Sequence, residues 1–289
     1  MTQATSPSSP PGLHRYAVAT AIATFCLLIA GGLVTSTDSG LSVPDWPLSY
    51  GGLFPPMVGG IAYEHSHRLI AGVVALLILG LALRLRREPR RWVRRLGQAA
   101  AIGVLLQAIL GGLTVLFLLP PPVSVAHACL GPTVFCLVAG VALATSKAWH
   151  EATGDDSALH RRSLALLIVV FAQLALGAVL RHTGRGLQEH VGWAVVVIAA
   201  IAWVQWGVWR TPQRGVVLGR LALALAVLGL LQIALGVLTI TIRQHPLITT
   251  AHVAVGALIY ASSWLLVLWT SQATPPVARV VVREAVHVA

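Results

Sequence analysis

Four histidines lie at matched places in the chain, each near the start of a long apolar segment. His67 and His190 are 123 residues apart, and His127 and His252 are 125 apart. A single histidine near a helix end is usually structural, but two matched pairs favour a metal site. Two neutral imidazoles on facing helices commonly hold a haem iron from both sides, whereas zinc takes more ligands in a tighter cluster. The pattern predicts two metal-macrocycle sites, with haem favoured over zinc.

An acidic side chain accompanies only one of these pairs. Glu64 lies three residues before His67, and therefore on the same helical face and one turn nearer the helix start. The equivalent position before His190 is Leu187. Glu189 directly precedes His190, but adjacent helical residues point about 100° apart. We expect a carboxylate beside one metal only; the alternative is a solvated helix-start carboxylate that interacts with the helix dipole.

The elements that position these residues are membrane-spanning helices. Mean hydropathy is +0.81 and only 10% of residues are charged, which excludes a soluble domain. Apolar runs of about 20 residues are long enough to cross the hydrocarbon core, and their continuity favours helices over barrel strands. The chain is predicted to be an all-α integral membrane protein with eight spans, at about 16–36, 64–83, 97–118, 124–145, 163–181, 188–209, 218–241 and 247–270.

The net charge of +11 is explained by topology. With a cytoplasmic N-terminus, sixteen of the twenty basic residues fall on the cytoplasmic side, as the positive-inside rule expects. Both termini are therefore predicted to be cytoplasmic and the paired histidines to lie toward the outer face, and no nucleic acid is needed as a partner. All three cysteines fall within predicted spans, so no structural disulfide or thiolate metal site is expected.

Other polar residues of the spans have plainer interpretations. Gln107 and Gln232 each lie 20 residues before a paired histidine, and we expect them to form hydrogen bonds between helices. Glycines that permit close helix approach or leave room for a flat ring are Gly31, Gly32, Gly111, Gly112 and Gly236. Four arginines are expected at the outer edge, where they could pair with the propionates of a haem or anchor the helices at the interface: Arg68, Arg181, Arg185 and Arg243. The other histidines are expected in outer loops or interfaces (His65, His182, His245) or on the cytoplasmic side (His14, His150, His160, His287).

An internal repeat divides the chain in two. Residues 106–131 match 231–256 at a constant offset of 125, with glutamine, glycine, threonine, proline and histidine in one register. Equivalent helices of the two halves are four spans apart, and an even number of spans preserves the direction of the chain across the membrane. We therefore expect two four-helix bundles in the same orientation, related by a pseudo-twofold axis along the membrane normal. The predicted divisions are a disordered N-terminus (1–15), a first bundle (16–145), a linker (146–162), a second bundle (163–270) and a tail (271–289).

These motifs together resemble the haem A synthase family. The resemblance rests on the outer loop of residues 40–48, GLSVPDWPL, on residues 64–68, EHSHR, and on the dipeptides that end at His127, His190 and His252. It extends over about residues 16–270. Some relatives carry a cysteine pair in the first outer loop, where this chain has Ser42 and Ser49. The route by which electrons leave this protein is therefore open.

The resemblance implies an enzyme of cofactor biosynthesis for cytochrome oxidase. Such an enzyme oxidises a ring methyl (C8) of haem O to the formyl group of haem A by successive hydroxylations, with oxygen derived from water. Carried over to this chain, His190 and His252 are implied to ligate a resident haem B in the second half. His67 and His127 are implied to flank the substrate haem O in the first half, with Glu64 as the catalytic carboxylate.

Two rival functions share part of this pattern. A di-haem membrane cytochrome that transfers electrons to or from quinone also needs paired histidines, but it does not need Glu64. A small-molecule transporter also suits eight helices with an internal repeat, and it predicts no bound haem. If the chain is the enzyme that the resemblance implies, its partners are the lipid membrane and the substrate haem O. A haem O synthase and an unidentified electron acceptor are further implied partners. The oligomeric state is not predicted.

Overall fold

The structure, a computed structural model, describes residues 12–150, 157–211, 215–242 and 245–272. Over these ranges the chain forms nine helices, and its one β-bridge is the isolated pair Ser49 and Gly52. The helices are α1 (Leu13–Ser36), α2 (Gly59–Leu85), α3 (Arg91–Leu116), α4 (Pro121–Ala144), α5 (Lys147–His150), α6 (Ser157–Thr183), α7 (Leu187–Arg210), α8 (Val216–Thr241) and α9 (Pro246–Thr270).

Eight of these helices, all except the short α5, are long and apolar enough to cross a membrane. Each has 24 to 27 residues, and at 1.5 Å per residue such a helix is longer than the roughly 30 Å of hydrocarbon. The predicted eight-span, all-α architecture is therefore confirmed. Several helices start earlier than predicted: α2 begins at Gly59 instead of 64, and α6 at Ser157 instead of 163. Hydropathy detects only the apolar part of a helix, which continues into the interfacial region.

The four helices of each half pack in a ring. In the first half α1 contacts α2, α2 contacts α3, α3 contacts α4, and α4 contacts α1. In the second half α6, α7, α8 and α9 repeat this order. Consecutive helices are therefore neighbours, and the two histidine-bearing helices of each bundle, α2 with α4 and α7 with α9, face each other across its interior.

Helices α4 and α9 lie at the centre of the molecule. They contact each other, α1 contacts α9, and α4 contacts α6. This pattern is unchanged when α1 is exchanged with α6 and α4 with α9, which is consistent with the predicted pseudo-twofold axis. In agreement with their central place, α4 and α9 are the most buried spans: 50% and 56% of the residues in their most apolar stretches are buried.

Equivalent polar contacts close the same end of each bundle. The Nδ1 atom of His14 in α1 lies 3.5 Å from Oγ1 of Thr145, just after α4. In the second half, Nδ1 of His160 in α6 lies 3.1 Å from Oγ1 of Thr270 in α9. These two histidines are therefore interhelical contacts at the end that the charge pattern assigns to the cytoplasm.

Equivalent aromatic pairs lie deeper in the same two helix contacts. Phe25 of α1 and Phe135 of α4 have ring centroids 5.6 Å apart, and Phe171 of α6 and Tyr260 of α9 have centroids 5.8 Å apart. Aromatic pairs at this separation stabilise a helix contact beyond their buried area. The repeat therefore extends to α1 and α6, whose equivalent residues are 146 apart in the sequence.

Parts of the predicted divisions lie outside the described residues. These are residues 1–11, 151–156, 212–214, 243–244 and 273–289. Within the predicted linker, the short helix α5 places Trp149 between two rings, with centroids 5.2 Å from Trp92 and 6.2 Å from Trp269. Helix α5 therefore contacts both halves. The assignment of one half to substrate and the other to cofactor stays a prediction.

Candidate haem-binding sites

Each paired histidine lies against a glycine of the preceding helix, which we call its seat glycine. A Cβ atom added to Gly177 would come 2.9 Å from Cε1 of His190, closer than real Cβ contacts. At the other three seats the corresponding distance is 3.0 to 3.3 Å. The four seats are Gly31 for His67, Gly111 for His127, Gly177 for His190 and Gly236 for His252. The absence of a side chain at these positions therefore leaves room for the imidazole.

Two glycines of the predicted set face other groups. A Cβ atom on Gly32 would lie 3.1 Å from Cγ2 of Thr250, so this residue permits the contact of α1 with α9. Gly112, next to the seat glycine of His127, faces the indole of Trp46. Gly32 thus permits close helix approach, whereas Gly31, Gly111 and Gly236 leave room for imidazoles and Gly112 for an indole.

A glutamine lies one helical turn before three of the seat glycines. Nε2 of Gln107 donates to the backbone carbonyl of His127 over 2.8 Å, and Nε2 of Gln232 lies 3.4 Å from Nε2 of His252. The predicted interhelical role of these two glutamines is confirmed. Gln173 makes the same kind of contact, donating to the carbonyl of His190 over 3.0 Å.

The Gln173–Gly177 pair was not found from the sequence. Its signal is a glutamine four residues before a glycine, as in Gln107 with Gly111 and Gln232 with Gly236. This spacing is short and lies in low-complexity apolar sequence. The offset of 146 between α1 and α6 also differs from the 125 that relates the other repeats, which hides the correspondence.

The histidine pair of the second half has the separation that a shared metal requires. The ring centroids of His190 and His252 are 6.3 Å apart, with an angle of 69° between the planes. Metal–imidazole bonds are about 2 Å long, so two ligands on opposite sides of one ion have ring centres about 6 Å apart. The separation of the pair is therefore that of two imidazoles on opposite sides of one metal ion.

The first-half pair has a similar setting. His67 and His127 are partly buried on α2 and α4, the two helices that lie across the first bundle from each other. Their Nδ1 atoms, like that of His252, are buried and have no hydrogen-bond partner. Among the described residues, no three histidine, cysteine or acidic side chains cluster as metal ligands. Each site thus offers a pair of imidazoles, which suits a metal whose remaining positions are filled by a macrocycle.

Glu64 is buried at the start of the first-half site. Its Oε2 accepts a hydrogen bond from the backbone N–H of Val43 over 2.9 Å, and its Oε1 forms an ion pair with Arg68 at 2.6 Å. With 3% of its surface exposed, the carboxylate is not solvated, so the alternative of a solvated helix-start acid is wrong. The position three residues before His127 holds Ser124, whose buried hydroxyl has no partner.

Arg68 fastens the long loop between α1 and α2 to α2. Its guanidinium donates to the carbonyls of Val43, Asp45 and Leu48 over 3.2, 2.7 and 2.7 Å, in addition to its ion pair with Glu64. The outer arginine of the first half is therefore engaged by protein groups. The corresponding connection in the second half has only residues 184–186 between α6 and α7. The first-half site thus differs from the second-half site in two ways: a long loop covers it, and it has a buried carboxylate.

The loop has its own internal hydrogen bonds. The Asp45 carboxylate accepts from the backbone N–H groups of Tyr50 and Gly51 over 2.7 and 2.8 Å. The hydrogen bond from Gly51 is the largest cause that lowers the pKa of Asp45 below its ordinary value of 3.8. Tyr50 in turn donates its hydroxyl to the carbonyl of Ser42 over 2.6 Å. These contacts define the path of the loop over the histidine end of the first bundle.

His65 differs from its prediction as a loop or interfacial residue. It lies in α2, is 5% exposed, and its Nδ1 is 2.9 Å from Oγ of Ser49. The expected loop position was wrong, because the loop folds back on the face of α2 that carries His65 and buries this residue beneath it. Ser49, one of the two positions aligned with the relatives' cysteines, is therefore a hydrogen-bonding residue here.

The other outer arginines have separate roles. Arg181 donates to the carbonyl of Thr35 over 2.7 Å, which links α6 to α1. Arg185 is exposed in the short connection between α6 and α7, and Arg243 lies outside the described residues. Arg181 and Arg185 remain candidates for a propionate partner. All three cysteines are free and lie in α1 and α4, as predicted.

Comparison with known proteins identifies the family. A family model described as "Cytochrome oxidase assembly protein" (COX15-CtaA) matches residues 14–59 and 60–191, more than half of the chain. The chain belongs to this family. The match includes Glu64, His67, His127 and His190, whereas His252 lies beyond it and rests on the internal repeat and on its contacts with His190 and Gly236.

Curated relatives in this family are named "Heme A synthase". The chain is 29% identical over 182 residues to the protein of Bacillus licheniformis and 32% identical over 185 residues to that of Bacillus pumilus, in each case over 61% of this chain and 60% of the relative. It is 32% identical over 205 residues to the protein of Exiguobacterium sibiricum, over 66% and 68% of the two chains. The chain thus spans about three fifths of the length of the two Bacillus relatives.

Proposed function

We propose that this membrane protein is a haem A synthase, which oxidises the C8 methyl of haem O to a formyl group for cytochrome oxidase. The observation that carries the proposal is an asymmetry between two otherwise equivalent sites. Both have an imidazole pair on seat glycines, but a buried carboxylate, Glu64, lies three residues before a histidine only in the first half. The names of the curated relatives support the same activity.

The histidine pairs divide the work between the halves. His190 and His252 would hold a resident haem B, which when bound would supply the capacity to remove electrons from the reaction. His67 and His127 hold the substrate haem O from both sides. The imidazoles of His67 and His127 are partly buried and each is confined by its seat glycine, so they would hold the bound substrate in one place relative to Glu64.

Glu64 is the group that handles protons. A carboxylate offers about four acceptor positions, and Arg68 and the Val43 N–H use one on each oxygen. In each hydroxylation one C–H bond of the methyl group breaks, one C–O bond to water forms, and two protons and two electrons leave; the remaining capacity of Glu64 can orient the water and accept a proton, while the electrons would pass through the resident haem to the external electron acceptor. Arg68 and Val43 hold the carboxylate in place, so little reorganisation is needed during the reaction.

The experiment that tests this role compares two acids. Glu64→Gln is expected to keep the visible spectrum of both haems while its conversion of haem O falls about a hundredfold or more, the usual range for loss of a general base. Glu189→Gln is the matched control, because Glu189 is exposed and adjacent to His190. Unchanged conversion in Glu64→Gln would contradict the catalytic role of Glu64. A wild-type protein with intact haem spectra and no conversion of haem O would contradict the enzyme and favour the di-haem electron carrier.

The proposed location follows from the charge pattern. The protein resides in the cell membrane with both termini in the cytoplasm and the haem sites toward the outer face, because the seven arginines of residues 84–95 lie at the opposite end of the bundles from the paired histidines. Its proposed partners are membrane lipid, haem O, a haem O synthase that supplies this substrate, and an electron acceptor of unidentified nature.

A further inference from the structure

We infer that Ser124 and Thr249 each bind a propionate carboxylate of the haem that is held by the histidine three residues later. This inference rests on the proposed haem-binding function. The two residues are equivalents in the internal repeat, at the offset of 125 that also relates His127 to His252. Each occupies the fourth position of its helix, Ser124 in α4 and Thr249 in α9.

Both hydroxyls are buried and lack a hydrogen-bond partner. Ser124 is 2% exposed and Thr249 is 5% exposed, and neither hydroxyl oxygen has a partner among the described residues. Eleven serine and threonine side chains are buried in the described part of the chain, and the hydroxyls of the other nine each form a hydrogen bond. The two exceptions are therefore an equivalent pair, each three residues before a proposed haem ligand.

The helix backbone does not supply the missing partner. A helical serine or threonine often donates its hydroxyl to the carbonyl four residues earlier, as Ser263 of α9 does to Ile259 over 2.8 Å. The hydroxyls of Ser124 and Thr249 form no such bond. Because a buried polar group without a partner is unfavourable, these two hydroxyls indicate a polar group that the described residues do not provide.

The two hydroxyls lie beside the proposed haem ligands. Residues three apart are neighbours on one side of a helix, so each hydroxyl lies one turn from its histidine, toward the start of the helix. Helices α4 and α9 both begin with a proline, and no side chain of the described residues caps either start. A helix start carries a partial positive charge that favours a carboxylate. A hydroxyl donor and a positive helix end thus occur together near each ligand.

The repeat identifies the chemical group. A feature that is present in both halves serves something that both proposed haems share, whereas Glu64 is present in one half only. Apart from the ring nitrogens, which bind the iron, the polar groups common to haem B and haem O are the propionate carboxylates. Arg68, which the sequence suggested as a propionate partner, is instead engaged by Glu64 and by carbonyls of the loop. The hydroxyl of Ser124 is therefore the donor left for this role in the first half.

The test uses full-length protein purified in detergent with its haem B, carrying carbon-13 in the propionate carboxyls. Infrared difference spectra between the oxidised and reduced protein then identify the propionate bands by their isotope shift. Thr249→Val is expected to shift these bands and to release haem B to apomyoglobin about ten- to a hundredfold faster, the range for losing a hydrogen bond to a charged group. Thr249→Ser keeps the hydroxyl and is expected to match the wild type in both measurements.

The first-half site is tested by titration with haem O. Ser124→Ala is expected to bind added haem O about tenfold or more weakly, measured by the change in the visible spectrum, because the same kind of hydrogen bond is lost. This readout is independent of conversion and therefore separates Ser124 from the proposed role of Glu64.

The matched control is Ser263→Ala. It also removes a buried hydroxyl of α9, but one that has its own carbonyl partner and lies eleven residues after His252. It is expected to leave the propionate bands in place and to change haem release by less than about twofold, as for a distant site.

Three results would each overturn the inference. They are unshifted propionate bands in Thr249→Val, haem release from Thr249→Ser as fast as from Thr249→Val, and unchanged haem O binding in Ser124→Ala. The first of these would mean that the hydroxyl serves packing or holds an internal water. A wild-type protein that binds no haem would instead overturn the proposed function.

Discussion

The seat glycines are the residues that most directly shape the haem sites. A methyl group at position 177 meets Cε1 of His190 at 2.9 Å, so the imidazole has to move. We expect Gly177→Ala to lose most of the second-half haem while the first-half haem remains, reducing total haem by about half. The measurement is the haem-to-protein ratio with extraction and identification of the porphyrin.

Gly192 provides the control for this substitution. It lies two residues after His190 in α7, and an added Cβ there meets nothing within 4 Å. Gly192→Ala is expected to retain full haem, since alanine also has the better helix propensity. An equal loss of haem in both variants would contradict a specific effect of the seat glycine.

Residue by residue, the sequence predicts the candidate site from the repeated spacing of four histidines and from an acidic residue that is not repeated. The structure places His190 beside His252 and buries Glu64, and the roles of these residues stay predictions. The burial of Glu64 and the position of His65 could not be predicted, because both depend on a loop that folds back on α2 through Arg68. Such contacts have no periodic signal.

At the scale of elements, the loop between α1 and α2 depends on one guanidinium. Removing the Arg68 side chain leaves the Glu64 carboxylate buried without its cation, which typically costs on the order of 3 kcal/mol. We expect Arg68→Ala to increase amide hydrogen exchange over residues 43–52 sharply, with α3 and α8 unchanged. Arg185→Ala, in the exposed connection of the other half, is the control and is expected to leave that exchange unchanged.

The same loop is expected to respond to acid. Hydrogen bonding from Gly51 lowers the pKa of Asp45, so its contribution to loop stability is full above the ordinary value of 3.8 and is lost as the pH falls through the lower folded value. Exchange protection at Tyr50 and Gly51 should therefore persist at about pH 4 and decrease only below it. Asp45→Asn should remove this pH dependence; persistence of the dependence in that variant would assign it to another group.

The helices themselves were largely predictable, their ends less so. Continuous apolar runs define spans, but α2 continues over residues 59–63 because Gly60 packs against the loop hydroxyls of Ser39 and Ser42. Helix α3 ends at Leu116 in apolar sequence, where Leu118 and Leu119 adopt positive φ. Hydropathy does not distinguish an apolar turn from an apolar helix, so these boundaries follow from tertiary contacts.

At the scale of the whole molecule, the orientation in the membrane is a direct prediction. Phe54, in the loop between α1 and α2, is 92% exposed and lies on the side of the paired histidines. We expect Phe54→Cys to react with an impermeant thiol reagent added outside intact cells, and Arg87→Cys, between α2 and α3, to react only after permeabilisation. The reverse pattern would invert the proposed topology.

The duplication places two like sites on either side of a central α4–α9 contact. The sequence repeat at an offset of 125 predicted the two bundles, and the ring order of the helices agrees with it. The sequence repeat did not reveal that the halves differ in the loop between their first two helices as well as in the carboxylate of Glu64. The connection between α1 and α2 is about twenty residues longer than the three-residue connection between α6 and α7, and this extra segment covers only the first-half site.

The most direct test of the account is to identify the haem held by each histidine pair. Purified protein is extracted and its porphyrins are identified by mass and spectrum, for the wild type, His190→Ala and His67→Ala. The account predicts haem B together with haem O or its oxidised products in the wild type, loss of haem B in His190→Ala, and loss of the haem O series in His67→Ala. A colourless wild type, or variants that retain both haems with undiminished conversion, would contradict it.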